Sequence, residues 1–256
     1  DFLLCDSTPG ELFRLSLCAS VVQNAVSRFM KRAYRLEAFL APFFTAQQYA
    51  LFQELQAVTG LLISGSVALQ FFMRIWFDNS DLDLYVHHRH IAAMHEFLVG
   101  AGYAYLEAVP SESFPATKER LDSVFQLKIV CSSDNTSAKY SGRGVFAVLH
   151  YTKADGTKVD LITTLYCPFQ VILGFHSTCI MNIITYAHAV SLYPHATFLE
   201  GVSYQNKAVK HSDDAAFKKY TDRGFSYLTR DEALTRTEFR FQRRVGDRFS
   251  WIIPLR

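Results

Sequence analysis

The chain has 256 residues, half of them hydrophobic, with 20% charged, 14% aromatic and a net charge of +2. That supports a sizeable core in one large domain, or one plus a small appendage, and excludes a disordered or fibrous chain. No apolar run reaches the roughly 18 residues of a membrane helix, and no basic-then-apolar leader opens the sequence, so no membrane partner is expected.

The five cysteines, Cys5, Cys18, Cys131, Cys167 and Cys179, are scattered and lack metal-ligand spacing. They read as reduced thiols of an intracellular protein, cytoplasmic or nuclear.

Residues 1–45 read as short helices. Leu12, Leu15, Leu17, Val21, Val22, Val26 and Phe29 recur at roughly helical spacing after the Pro9-Gly10 break. A helix is predicted from Thr45, a good N-cap, to Gly60, a good stop. Leu61–Ser64 reads as a short buried strand. Val67–Phe77 reads as a helix with Ala68, Phe71, Phe72, Ile75 and Trp76 facing inward. Asp81–Val86 is a strand by strict alternation, and Ile91–Leu98 a further helix.

Pro110–Lys118 reads as a loop and Val124–Val130 as a strand. The polar stretch Ser132–Gly144, with Lys139 and Arg143, is a long loop suited to a lid or to acceptor binding. Val145–Thr152 and Lys158–Thr164 are strands joined by the hairpin signal Ala154-Asp155-Gly156-Thr157. After Pro168 the pattern reads as helical through "VILGFHSTCIMNIITYAHAV", which sets His176 and His188 on one helix. Ser177 and Asn182, on the same helix, are candidates for reading ribose or base. "DDAAFKKYTDRGF" is a second helix, acidic first and basic last. The whole is an α+β arrangement with a mixed central sheet, flanking helices and a helical C-terminal region.

Side chains two apart on a strand project the same way, so Asp81 and Asp83 share a face, their Cα atoms about 6.5–7 Å apart. Two such carboxylates repel unless a cation neutralises them. Oxygen ligands without His or Cys select Mg²⁺ or Mn²⁺, which complete their shells with water and substrate phosphates. Gly65-Ser66 stands at a strand-to-helix junction, where backbone amides favour anions. A βαβ-like path is expected to bring that turn opposite the acids. Asp160, mid-strand between Val159 and Leu161, is out of place unless paired or metal-bound. It supplies a third carboxylate, and three can hold two cations.

These residues, "ISGSVAL", "SDLDLYV" and "KVDLI", resemble the signature of the DNA-polymerase-β-type nucleotidyltransferase superfamily, in its template-independent branch, over about residues 60–165. The interval between Ser66 and Asp81 is slightly long for it. The resemblance implies an enzyme that moves a nucleoside monophosphate from an NTP to a hydroxyl. The acceptor would be an RNA end, a protein side chain or a small molecule. It implies Asp81, Asp83 and Asp160 as metal-binding acids, with Asp160 also taking the proton, and Gly65 and Ser66 as the triphosphate-holding pair. Lys218, Lys219 and Arg223 are candidates to touch the phosphates. The N-terminal "ELFRLSLC" pattern is similar to the later part of an F-box, which would dock a ubiquitin-ligase scaffold. The division expected is 1–45 F-box-like, 46–167 catalytic core and 168–256 helical. A second reading makes the chain an inactive adaptor on the same fold.

His87, His88 and His90 also stand near the acids. A zinc site there needs the adjacent His87 and His88 to face one way, which a continuing strand forbids. From Gly201 on, 12 Lys/Arg stand against 7 Asp/Glu. The arginines at 236, 240, 243, 244 and 248 read either as a solvated face around aromatic packing or as a surface for a polyanion.

Overall fold

A computed structural model of the chain describes residues 2–78, 80–110, 144–205, 214–240 and 242–255. The predicted strand Val124–Val130, the loop after Pro110 and the Ser132–Gly144 loop up to its last residue lie outside these.

The chain opens with four helices, α1 (Phe2–Cys5), α2 (Pro9–Ser16), α3 (Ser20–Ala33) and α4 (Leu36–Phe39). Helix α2 starts with a capping box: the Thr8 side chain accepts from the Glu11 amide while the Glu11 carboxylate reaches back. Leu12, Val26 and Phe29 are buried as the helical spacing predicts. Leu17 and Val21, counted with them, are 68% and 75% exposed, because that face has no neighbour among the described residues. Helix α5 (Ala46–Thr59) runs between Thr45, whose side chain caps the Gln48 amide, and Gly60 at φ 68°. A left-handed C-terminal residue is where glycine carries no Cβ penalty.

Among the described residues the large sheet has eight strands. They are β1 (Leu62–Ser64), β2 (Leu82–His87), β3 (Ala104–Pro110), β4 (Val145–Thr152), β5 (Lys158–Thr164), β6 (Asn182–Ile184), β7 (His188–Ser191) and β10 (Trp251–Pro254). Their order is β10-β7-β6-β1-β2-β5-β4-β3. Strands β8 (Val202–Tyr204) and β9 (Ser226–Leu228) pair separately. Among the described residues only β2 and β5 run parallel within the large sheet; its other pairs are antiparallel. The mixed α+β architecture predicted from sequence is the one observed.

Three predictions need correcting. First, helix α6 runs Gly65–Met73, shorter than expected. Arg74 turns left-handed at φ 55° and stops it. That conformation, which costs a non-glycine about 1 kcal/mol, is compensated by the guanidinium, which donates to the Ser7 carbonyl and lies over the Phe29 and Tyr34 rings. Ile75 and Trp76 therefore fall outside the helix and are 39% and 44% exposed.

Second, β1 and β2 are neighbours but antiparallel, so the unit between them is not βαβ. Third, the continuous helix expected after Pro168 is a short helix, Pro168–Leu173, followed by β6 and β7. In the run "MNIITYAHAV" the residues that form β6 and most of β7 are buried, and a short buried strand cannot be told from helix by periodicity. His176 and His188 do not share a helix, and the region 168–256, expected to be helical, contributes three strands, β6, β7 and β10, to the sheet.

The sheet's two faces are unequal. On one, Ile63, Leu84, Leu161 and Leu149 join the large core with α3, α5, α6 and α7 (Ile91–Gly100). That core includes Leu12, Val26, Phe29, Tyr34 and Leu36, so the N-terminal helices pack as part of it. The other face carries a smaller cluster of Leu62, Tyr85, Ile162 and Val148 under Val171, Ile172 and Leu192.

Candidate active site

On that second face, strand register builds two successive rows. The first is apolar: Leu62, Tyr85, Ile162 and Val148. The next is polar: Ser64 on β1, Asp83 on β2, Asp160 on β5 and His150 on β4. Asp83 and Asp160, far apart in sequence, are direct partners on the parallel pair. Neighbouring strands lie about 4.8 Å apart, so the two acids share one small region.

The antiparallel turn at α6 matters here. Asp83 lies near the start of β2 and is paired with Ser64, the last residue of β1. A parallel return would have carried it to the far end of β1, away from Gly65. Gly65 has φ 70°, and a Cβ there would fall inside van der Waals contact with Asp83 Oδ2. The glycine is therefore required twice, by backbone conformation and by the carboxylate against it.

Asp160 is 6% exposed, and His150 Nδ1 lies 2.7 Å from its Oδ1. Sequence reasoning missed His150, although the alternation of β4 places it opposite Asp160 once the hairpin register is known. Asp81 lies one residue before β2, half-buried. Tyr85 is fully buried; its phenol is pushed well up by that burial, and further by Asp83 and Asp160. Tyr220, from the helix Asp214–Thr221, is raised chiefly by burial and in part by Cys179 and Asp83.

Of the three basic candidates, Lys218 and Lys219 are exposed on that helix. Arg223 lies with its Cζ 4.0 Å from the Phe77 ring centroid and 5.4 Å from that of Tyr220. Its Nη1 is buried with no hydrogen-bond partner among the described residues, and burial lowers its pKa. A buried unpartnered guanidinium nitrogen costs free energy that an anionic ligand would return.

Ser66 is 4% exposed at the second position of α6. The residue at the N-cap is Ser64, and its hydroxyl donates to the Asn182 carbonyl at 2.6 Å. Asn182 donates its amide to the Cys179 carbonyl at 2.7 Å and is buried. Ser177 is fully buried between His176 and the Tyr227 hydroxyl. Both are tied into the framework by these hydrogen bonds.

The donor set Asp81, Asp83 and Asp160 is all oxygen and suits a hard cation. Among the described residues, however, no three His, Cys, Asp or Glu side chains are grouped closely enough to hold a metal. His87 and His88 stack on each other and His88 on Phe146, with centroids 4.4 and 5.0 Å apart. Two of the terminal arginines follow the packing reading: Arg236 pairs with Glu200, and Arg243 grips Asp247 through two 2.7 Å hydrogen bonds.

The fold and this row define an α+β protein with paired carboxylates on a mixed central sheet, beside a glycine turn. No family model matches the chain, the F-box included, and no curated protein matches it. Among solved structures it is similar to a CCA-adding enzyme in an apo form. The two share 12% identity at a TM-score of 0.46, over 78% of this chain. The chain spans 44% of the length of that structure. No described helix is long and apolar enough to cross a membrane.

Proposed function

We propose that the chain is a metal-dependent nucleotidyltransferase that moves a nucleoside monophosphate from an NTP to a hydroxyl. The observation that carries this is the register pairing of Asp83 with Asp160 beside Gly65, whose missing side chain makes room for the Asp83 carboxylate.

In this reading the N-terminus of α6, at Gly65 and Ser66, receives the triphosphate through backbone amides. Arg223 contacts phosphate oxygens from the C-terminal side. Mg²⁺ or Mn²⁺ held by Asp81, Asp83 and Asp160 would supply charge neutralisation and lower the pKa of the acceptor hydroxyl. The acceptor oxygen forms a bond to the α-phosphorus as the bond from that phosphorus to the α–β bridging oxygen breaks. Pyrophosphate carries away the electron pair. The hydroxyl proton passes to Asp160, which His150 holds in orientation.

The test is transfer of label from each NTP, with Mg²⁺ or Mn²⁺ and cell extract as the acceptor source, beside an Asp81→Ala/Asp83→Ala chain. Transfer by the wild type alone is expected. No transfer, or equal transfer by the variant, overturns the proposal.

A further inference from the structure

At the opposite end of the sheet from β3, beside β10, is a cavity of about 560 Å³ that the carboxylate row does not use. It forms where α2 packs against His195–Leu199, a π-helical turn of a kind frequent at functional sites. Gly10 makes that packing possible, since a Cβ there would overlap the Leu199 side chain. The remaining walls come from the helix Thr237–Arg240 and the chain entering β10.

Its polar lining is uneven. Arg236 and His195 are both spent on Glu200. Glu238 is not spent: it is 9% exposed and makes no hydrogen bond among the described residues. Burial raises its pKa against the pull of His195, Arg243 and Arg236. Glu238 lines the cavity, and a carboxyl group so far withdrawn from water gains from a ligand that supplies donors. Arg14 and Arg248 line the same cavity and are exposed, Arg248 lying 4.7 Å from the Phe249 ring centroid. Phe249 and Trp251 give it aromatic walls.

We propose that this cavity binds a nucleotide, with the N–H edge of its base on Glu238, the ring against the aromatic wall and the phosphate toward Arg248 and Arg14. A carboxylate accepting from parallel base N–H groups, flat apolar walls and arginines for phosphate are the three elements such recognition uses. A guanine edge, with adjacent imino and amino donors, matches two carboxylate oxygens best. The volume suits one ligand of this size.

Binding of GMP, and separately of a short RNA ending in guanosine, is measured by calorimetry on the full chain carrying Asp83→Asn. The carboxylate row is thereby disabled, so failure here is distinct from failure of the transferase reading. One-to-one binding is expected, weakened at least tenfold by Glu238→Gln and several-fold by Arg248→Ala. Tighter binding of GMP makes the source a free nucleotide; tighter binding of the RNA makes it a strand end. No saturable binding of either probe at millimolar concentration overturns the proposal, as does unchanged affinity in both variants.

Discussion

Asp83 Oδ2 lies where a side chain on Gly65 would begin. A glycine turn and a carboxylate from the next strand are thus fitted to each other, and the antiparallel register of β1 and β2 brings them together.

Replacing that glycine separates two costs. Gly65→Ala has to strain a positive φ and displace Asp83, whereas Gly60→Ala, at nearly the same φ, meets nothing within 4 Å. Gly60→Ala should lose about 1 kcal/mol of stability, and Gly65→Ala distinctly more, together with the activity. Urea unfolding of both variants reads the difference. Equal losses would mean that the Asp83 contact contributes nothing.

Metal binding has a direct thermodynamic readout. A cation that binds only the folded chain stabilises it by about 2.7 kcal/mol at a hundred times its Kd. Mn²⁺ should therefore raise the melting temperature of the wild type. Asp83→Asn or Asp160→Asn should abolish the rise. A shift that survives both substitutions places the cation elsewhere.

Arg223 differs from its lysine neighbours in burial and stacking. Arg223→Met should raise KM for the NTP roughly tenfold, the loss of about 1.4 kcal/mol of charge-assisted contact. Lys218→Gln and Lys219→Gln should change it little. Steady-state kinetics on the three variants decides, and equal effects would remove the special role of Arg223.

His176 gives a pH dependence. Burial, with Lys219 nearby, lowers its pKa from 6.5 to about 4. The folded chain holds the ring neutral while the unfolded chain takes up a proton below 6.5. Stability should thus be full above pH 6.5 and fall as pH drops from 6.5 toward 4. The slope is at most about 1.4 kcal/mol per pH unit from this residue. His176→Phe keeps ring packing against Phe217 and Tyr220 and cannot titrate, so its unfolding curve should lack that component. Identical pH profiles would count against it.

Strict alternation over Leu82, Leu84 and Val86, the capping pattern of α5 and the hairpin signal before Lys158 were legible because each rests on neighbours in sequence. So was Asp160 as an acid misplaced in an apolar strand, whereas Asp81, expected on the same strand face as Asp83, lies one residue before β2. The stretch from Met181 to Val190 was misread because its strand residues Asn182–Ile184, Ala189 and Val190 are buried on both faces, which erases the period that separates strand from helix.

What the sequence alone determined is the inventory of unusual residues: a glycine-serine turn, two acids in strands with a third just before one, and a basic helix near the end. Their convergence was decided by pairing across the sheet. Asp83 meets Asp160 only because β2 and β5 run parallel in one register, and a slip of a single residue would turn either acid to the large core. His150 joins the site through β4, by a contact that no local pattern encodes.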